Sequence, residues 1–565
     1  MLPVFLLLGV NYTQAQAPTT RTDITKKVNE LIARMTIEEK VGQMAQVTLD
    51  VIGKGKDRFS SDEPFALDEQ AMEKALVQYK LGSVLNASNN RARTPQVWFE
   101  IISKIQHVAM TKTAHRIPVL YGIDAIHGET YTAGATMFPQ QIGQAATFNR
   151  ALVRRGAEIS AYETRASAIP WVFSPVLDLG ADPRFPRQWE SFGEDPYLGA
   201  QLGVQMIKGY EGDNNNVGDP FKVASSIKHF LGYQVPITGK DRTPAYIPDQ
   251  ALREYHLPAF KAAIDAGAKT IMINSGLING VPMHVNYNLL TKLLKEELGF
   301  KGLIVTDWGD IENLYKRDRV ARDNKEAVKL AINAGIDMSM IAYQYEPFCD
   351  DLVALVKEGQ VKMERINDAV RKILTLKYEL NLFDKPATNF KDYPQFGSKE
   401  FEQAAYNTAA ESITLLKNTS GLLPLKKGTK ILITGPNANS MRTLNGAWTY
   451  SWQGEKTEEF AGKYNTIVEA IQLKSNAVTF IPGVSYKMDG KYYEEYADKF
   501  DEAIAAAKDA DVIILCLGEN SYSETPGNLN DLYLSDLQTD LAQKLAATGK
   551  PVVLVLNEGR PRIIS

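Results

Sequence analysis

Residues 302–308 read Gly302-Leu303-Ile304-Val305-Thr306-Asp307-Trp308, a short apolar run that ends directly in an aspartate and a tryptophan. Branched side chains such as Ile and Val favour extended backbone, so the run predicts a buried strand. The aspartate and the tryptophan then stand where this strand ends. Apolar runs of this kind recur through the first two thirds of the chain, and their number predicts the fold.

Eight such runs are candidate strands, and amphipathic helical patterns lie between most of them, for example over 249–266 and 287–298. The eight runs are residues 42–47, 82–86, 119–123, 171–177, 223–227, 270–274, 302–306 and 335–340. Eight strand–helix units predict a TIM-like (β/α)8 barrel. In such a barrel, side chains at the carboxyl ends of the strands face one common site.

A second alternating region follows the barrel. Its predicted strands are residues 430–434, 477–481, 511–517 and 551–556, with helices over 493–510 and 536–547. This order is typical of an open, mostly parallel α/β sheet. We therefore assign residues 18–384 to the barrel, 385–398 to a linker and 399–565 to an α/β sandwich domain. The second domain stops directly after a strand pattern, so we expect it to be incomplete at its C-terminal end.

The charge of the chain and its N-terminal sequence limit the binding partners and the cellular locations that we expect. The chain has 63 basic and 67 acidic residues, which gives no general attraction for nucleic acid or anionic membrane. The apolar run 4–8 and the triplet Ala15-Gln16-Ala17 predict a signal peptide over residues 1–17, and hence a periplasmic or secreted protein. That run is too short to cross a bilayer, so no membrane insertion is expected.

Polar side chains gather at the predicted carboxyl ends of the barrel strands. They are Asp124, Asp178, Lys228, His229, Asp307 and Trp308. The set lacks the His and Cys spacing of a metal site and the glycine-rich loop of a phosphate site. Carboxylates and cations hydrogen-bond hydroxyl groups, and tryptophan stacks on sugar rings. The set therefore predicts a site for a neutral, hydroxyl-rich ligand, with no metal and no cofactor.

Five motifs in order resemble glycoside hydrolase family 3, most of all its plant exo-β-glucanases and bacterial β-glucosidases. The motifs are residues 122–128 (GIDAIHG), 182–184 (DPR), 190–196 (ESFGEDP), 228–230 (KHF) and 305–308 (VTDW). The resemblance implies a retaining, exo-acting enzyme that releases terminal β-D-glucose from β-glucosides and β-gluco-oligosaccharides. It also makes Asp307 the nucleophile. The residues that it implies for sugar binding are Asp124, Arg184, Lys228, His229 and Trp308.

One contact of the plant enzymes is not expected here. Those members carry a tyrosine near the nucleophile after the sixth strand, where this chain reads Ile273-Asn274-Ser275-Gly276. The branch of the family that takes its acid/base from an Asp-His pair after the Lys-His-Phe motif is also excluded. In this chain the corresponding loop reads Gly232-Tyr233-Gln234-Val235-Pro236.

The second domain offers the other carboxylate. Residues 517–527 resemble the acid/base loop of the plant enzymes, in which the glutamate two residues after a tyrosine is the proton donor; this implies Glu524. Glu519 is the rival candidate, which we expect to support the loop or contact substrate. By the same resemblance Trp452 faces Trp308 across the leaving-group sugar. The alternative is that Trp448 and Trp452 cover the core of their own domain.

The resemblance implies a double displacement. Asp307 would attack the anomeric carbon while Glu524 protonates the leaving oxygen, and water would then release the sugar. Arg184 and Lys228 would favour ionised Asp307, and the pKa of Glu524 should be raised. Two alternatives stay open: the same chemistry on β-xylosides or xyloglucan oligosaccharides, and a catalytically inactive sugar-binding protein.

Overall fold

Eight parallel strands form the first unit of the computed structural model, which describes residues 21–419 and 421–565. They are β1 (Ala45–Thr48), β2 (Ser83–Leu85), β3 (Leu120–Ile123), β4 (Trp171–Val172), β5 (Ala224–Phe230), β6 (Thr270–Ile273), β7 (Leu303–Val305) and β8 (Ser339–Ala342). Neighbouring strands pair in chain order from β1 to β7, β8 pairs with β1, and a bridge between Val305 and Met338 joins β7 to the start of β8. The predicted barrel is confirmed.

Helices surround the barrel and connect its strands. They are Arg21–Arg34, Ile37–Gln43, Glu69–Met72, Glu73–Gln78, Pro95–Lys112, Gln141–Ala146, Arg150–Ala166, Pro196–Glu211, Asp249–Ala251, Leu252–His256, Leu257–Asp265, Asn288–Glu297, Asp310–Lys316, Asn324–Ala334, Tyr345–Lys357 and Met363–Glu379. Local sequence starts several of them. Thr94 and Asp195 each accept a hydrogen bond from a backbone N–H of the first turn, and proline follows each cap.

Three details of the barrel differ from the sequence prediction. Residues 42 and 43 belong to a helix, which begins with a capping box between Thr36 and Glu39. The fourth strand ends at Val172, and its pairing with β5 resumes only as a single bridge between Val176 and Lys228. Asp337 lies before β8 and is paired with Arg365 and Lys372, so it is a buried structural charge.

The second unit contains a four-stranded parallel sheet. Its strands are β9 (Ile431–Thr434), β10 (Val478–Phe480), β11 (Val512–Gly518) and β12 (Val552–Asn557), in the order β10-β9-β11-β12. Its helices are Met441–Asn445, Thr457–Phe460, Ile467–Gln472, Phe500–Ala506 and Asp536–Ala546. This confirms the predicted α/β domain. The predicted helix over 493–510 is shorter, because Glu495–Asp498 is a strand that pairs antiparallel with Gly483–Tyr486.

The segment between the two units lies against the barrel. In the predicted linker, the Tyr393 hydroxyl donates to the Pro220 carbonyl at 2.6 Å. The next helix, Lys399–Ser412, was assigned to the second domain by sequence, but its Phe401 packs with Phe138 and Ile159 of the barrel. The predicted signal peptide lies outside the described residues. Within the described ranges, no helix combines the length and the apolar character needed to cross a membrane.

Candidate active site

The carboxyl ends of the barrel strands open into a cavity of about 500 Å³, which the second unit covers on one side. The residues that line it are Thr48, Asp50, Phe59, Asn86, Ala87, Asn89, Asn90, Asp124, Tyr131, Arg187, Lys228, His229, Arg242, Met272, Asp307, Trp308, Met340, Tyr343, Trp448, Trp452 and Glu524. Most of the predicted site residues are therefore brought together in one place. Both candidate reactive carboxylates, Asp307 and Glu524, are among them.

Asp307 follows β7 and lines the cavity, with one carboxylate oxygen that accepts no hydrogen bond from the described residues. Its Oδ1 accepts a hydrogen bond of 2.6 Å from the Trp308 backbone N–H. Its Oδ2 is buried and accepts no hydrogen bond from the residues that the structure describes. Burial raises the pKa of Asp307, but the positive charges of Arg242 and Arg187 outweigh it, so the pKa lies below its usual value. The side chain is thus an anion with an unpartnered oxygen, as a nucleophile requires.

Glu524 lies on the loop after β11 and reaches the same cavity from the second unit. Burial raises its pKa above the usual value, although the charges of Arg187 and Arg242 oppose this effect. One Arg242 nitrogen, Nη2, lies 3.0 Å from Glu524 Oε2 and 3.9 Å from Asp307 Oδ1. Those two carboxylate oxygens are therefore at most about 7 Å apart, an upper limit that allows the separation of about 5–5.5 Å that retaining glycosidases use.

Three candidate sugar-binding residues form a buried polar floor. Lys228 Nζ donates to Asp124 Oδ1 at 2.7 Å, and Asn86 Nδ2 donates to Asp124 Oδ2 at 2.9 Å. His229 Nδ1 lies 2.8 Å from Asp178 Oδ2, which fixes the ring. Burial and the neighbouring cations lower the pKa of His229 well below its usual value, so the ring is neutral. These groups can donate hydrogen bonds to sugar hydroxyls at the bottom of the cavity and can accept hydrogen bonds from them.

Two predicted site residues do not line the cavity. Arg184 donates to Asp182 at 2.7 Å, and 43% of its side chain is exposed. Arg187, three residues later, takes the place in the cavity that we gave to Arg184. The ionised state of Asp307 is therefore favoured by Arg242, Arg187 and Lys228, and the prediction that Arg184 contributes is wrong.

Glu519 is the second predicted site residue that does not line the cavity. Its carboxylate is buried and accepts hydrogen bonds from Tyr522, Gly559, Arg560 and Arg562. This network joins the start of the acid/base loop to the chain after β12. Glu519 therefore supports the loop, as one of our two expectations stated, and its carboxylate is turned to that network instead of the cavity.

Sequence reasoning missed several lining residues besides Arg187. Arg242 lies in the loop after β5, and its Nη1 donates to Ser275 Oγ at 2.7 Å. Ser275 belongs to the segment after the sixth strand in which the plant enzymes carry a tyrosine. Asp50 follows β1 and accepts a hydrogen bond of 2.6 Å from Ser61 Oγ. Asp50 stands just beyond a predicted strand, so the rule that found Asp124 and Asp307 could have found it.

Aromatic side chains line the remaining walls. Trp308 contacts Tyr343 edge-to-face with ring centroids 5.6 Å apart, and Tyr343 contacts Phe59 at 4.8 Å. Trp452 lines the cavity as predicted, from the second unit. Trp448 is buried, and both tryptophans pack with the barrel core rather than with the cores of their own unit. Flat apolar rings of this kind suit the faces of a sugar or an aryl leaving group.

Hydrogen bonds across the boundary hold the two units around the cavity. Glu190 of the barrel accepts from Trp448 Nε1 at 3.0 Å and from Ser523 Oγ at 3.2 Å, both from the second unit. In the barrel loop after β5, Asp241 N donates to Asn528 Oδ1 at 2.8 Å, and Thr525 Oγ1 donates back to Asp241 Oδ2 at 3.0 Å. The position of Glu524 is thus fixed by barrel residues on both sides of it.

Several cavity residues hold a left-handed backbone. The φ angles are +53° at Asn86, +49° at Asn90, +58° at Arg242, +54° at Trp448 and +55° at Glu524. Such conformations cost a non-glycine residue about 1–3 kcal/mol and persist only where surrounding contacts enforce them. At Glu524, with ψ −148°, the angles are those that glycine favours. The contacts around the cavity therefore hold these side chains in place before any ligand binds.

The comparisons with known proteins agree with this geometry. Residues 36–376 match the glycosyl hydrolase family 3 N terminal domain, and residues 413–565 match the glycosyl hydrolase family 3 C-terminal domain. The chain belongs to glycosyl hydrolase family 3.

Among residues 21–419 and 421–565, no group of three or more His, Cys, Asp or Glu side chains is placed to hold a metal ion.

Family 3 relatives match most of this chain. It is 39% identical over 554 residues to the lysosomal beta glucosidase of Dictyostelium discoideum, a match that covers 95% of this chain and 66% of that protein. A beta-xylosidase of Formosa agariphila is 33% identical over 466 residues (80% and 63%). The exo-1,3/1,4-beta-glucanase of a Pseudoalteromonas species has a TM-score of 0.83 at 29% identity (99% and 67%). The chain thus spans about two thirds of the length of these proteins.

A pair of variants tests whether Arg187, and not Arg184, is the arginine that acts in the cavity. We expect Arg187→Met to lower kcat/KM about tenfold to a hundredfold, because the cavity loses a cation that lowers the pKa of Asp307 and lies 3.7 Å from Glu524 Oε1. Arg184→Met is the matched control and should stay close to wild type. Thermal unfolding of both variants separates an effect on binding from an effect on folding, since Arg187→Met removes the cation that is paired with the buried Glu190. A larger loss in Arg184→Met would contradict the assignment.

Proposed function

We propose that this chain is a retaining, exo-acting β-glycosidase that releases terminal β-D-glucose from β-glucosides and β-gluco-oligosaccharides. The observation that carries the proposal is the placement of two carboxylates with opposite pKa shifts, one from each unit, on a single cavity. Retaining glycosidases need one carboxylate that is ionised and one that holds a proton. The names of the relatives, a beta glucosidase and an exo-beta-glucanase, support the same substrate class.

In the proposed mechanism, the terminal sugar binds on the polar floor of Asp124, Lys228 and His229. The Asp307 carboxylate attacks the anomeric carbon while Glu524 gives its proton to the leaving oxygen. A glycosyl-enzyme forms on Asp307. Glu524 then takes a proton from water, which attacks the same carbon and frees Asp307. Two inversions leave the product with the β configuration of the substrate.

The depth of the cavity supports exo-action. Asp124, Lys228 and His229 are buried, with at most 7% of each residue exposed. Only the end of a glycan chain can reach side chains at that depth. Trp308 and Trp452 also line the cavity but are only partly buried, so we place them nearer the mouth, where the leaving group would sit.

Two alternatives are tested by the same measurement. A β-xyloside substrate is supported by the relative named beta-xylosidase, and xylose lacks only the hydroxymethyl group of glucose. A sugar-binding protein without activity would not need an ionised nucleophile. The experiment is a panel of nitrophenyl β-glucoside, nitrophenyl β-xyloside and β-linked glucose disaccharides, with Asp307→Ala as control.

We expect the highest kcat/KM on β-glucosides, and β-glucose as the first product seen by NMR. A higher kcat/KM on the β-xyloside would favour the xylosidase alternative. First-formed α-glucose would contradict retention. Binding of glucose without turnover of any β-glycoside would favour the sugar-binding alternative.

We also propose that the protein is exported, to the periplasm or out of the cell. The support is the apolar run 4–8 followed by Ala15-Gln16-Ala17. N-terminal sequencing of the exported protein should begin at Pro18. Recovery of an uncleaved chain from the cytoplasm would contradict the proposal.

A further inference from the structure

Arg242 stands between the two reactive carboxylates. Its Nη2 donates to Glu524 Oε2 at 3.0 Å, and the same nitrogen lies 3.9 Å from Asp307 Oδ1. Arg242 belongs to the barrel loop after β5, whereas Glu524 belongs to the second unit. A single guanidinium therefore spans the domain boundary at the point where bond cleavage would occur.

The guanidinium is held firmly in this position. Nη1 donates to Ser275 Oγ at 2.7 Å, and Ser275 Oγ donates to Asp310 Oδ2 at 2.6 Å. Nε lies 3.5 Å from Asp241 Oδ2, and only 19% of the side chain is exposed. By contrast Arg187, the other cavity arginine, donates both Nε and Nη2 to Glu190. The remaining Arg187 nitrogen, Nη1, lies 3.7 Å from Glu524 Oε1, whereas Arg242 Nη2 lies within 3.9 Å of both Glu524 and Asp307.

We propose that Arg242 is a positioning residue shared by the two carboxylates. It holds Glu524 opposite Asp307, and its positive charge balances the negative charge that moves between them during the reaction. The proposal rests on the proposed function. Before reaction Asp307 carries the negative charge and Glu524 the proton. When the Asp307 carboxylate bonds to the anomeric carbon, the bond to the leaving oxygen breaks and that oxygen takes the proton of Glu524.

The negative charge has then moved from Asp307 to Glu524, and Arg242 lies beside both. Hydrolysis reverses the transfer: water gives its proton to Glu524 and its oxygen to the anomeric carbon, and Asp307 leaves as the anion. One fixed cation can stabilise both charge states without moving, because preorganised charge costs no reorganisation during the reaction. The other charged or titratable groups around the three side chains are Tyr131, Arg187, Lys228, His229, Tyr233, Asp241, His284, Asp310 and Arg317.

The test is the pH dependence of kcat/KM on nitrophenyl β-glucoside for Arg242→Met and Arg242→Lys. In the wild type, activity is lost at low pH when Asp307 gains a proton and at high pH when Glu524 loses its proton. Without the cation both carboxylates hold protons more strongly, so both limbs of the profile should move to higher pH in Arg242→Met. We also expect its kcat/KM to fall about a hundredfold at the optimum.

Arg242→Lys keeps the charge, so its limbs should stay near those of the wild type. Ser275→Ala removes a hydrogen bond to Arg242 and should lower kcat modestly without moving either limb. If Arg242→Met does not fold, Arg242→Gln replaces it with the same expected shift. A fall in activity with unmoved limbs, or full activity, would overturn the role of Arg242 alone. A wild-type protein that turns over no β-glycoside would overturn both this role and the proposed function.

Discussion

The variant Asp307→Asn is expected to fold normally and to lose several powers of ten in kcat, because an amide cannot form the glycosyl ester. The amide oxygen can still accept the hydrogen bond from the Trp308 N–H, which measures 2.6 Å for the carboxylate. The variant therefore removes the nucleophile and its negative charge but keeps the size of the side chain and this hydrogen bond. The measurement is kcat on nitrophenyl β-glucoside, together with mass spectrometry of the protein after rapid quenching.

Asp182→Asn is the matched control for this variant. Asp182 is a carboxylate near the same end of the barrel, paired with Arg184, and does not line the cavity. It should keep near-normal kcat. A well-folded Asp307→Asn protein with near-normal turnover would remove Asp307 from its proposed role.

The second large effect concerns Glu524→Ala. A dinitrophenyl leaving group needs little protonation, so formation of the glycosyl-enzyme should remain fast while its hydrolysis, which needs the base, becomes slow. The intermediate should accumulate and be visible as an added glycosyl mass. Azide should then speed turnover and yield the β-glycosyl azide, because it attacks without base assistance.

Glu519→Ala provides the comparison on the same loop. Loss of its carboxylate leaves the buried Arg560 and the nearby Arg562 without their partner, so we expect lower thermal stability and no rescue by azide. If azide instead rescues Glu519→Ala and leaves Glu524→Ala inactive, the acid/base assignment is wrong.

The sequence predicted the barrel well because each strand is a continuous apolar run with a polar side chain at its end. The same rule located Asp124, Lys228, His229 and Asp307. It could not distinguish Arg184 from Arg187, because each arginine has a carboxylate two or three residues away, Asp182 for the first and Glu190 for the second. The sequence does not show that the Arg187–Glu190 pair is buried while 43% of the Arg184 side chain is exposed.

Arg242 was missed for a related reason. Its place depends on a left-handed backbone and on a glutamate in the other unit, and neither is encoded in neighbouring residues. The choice between Glu519 and Glu524 is similar. Two arginines after β12 bind Glu519, and no local pattern of the acid/base loop predicts that contact.

The hydrogen bonds between Asp241 and the loop of Glu524 have a consequence for engineering. Because the match to the C-terminal family domain begins at residue 413, an engineer could exchange whole second domains between relatives at that point. Yet the environment of Glu524 is built by Arg187, Asp241 and Arg242, which belong to the other side of that boundary. A chimaera should therefore take the barrel segments around residues 187–190 and 240–243 from the parent that supplies the second domain. The unit of recombination in this enzyme is the set of facing loops rather than the domain.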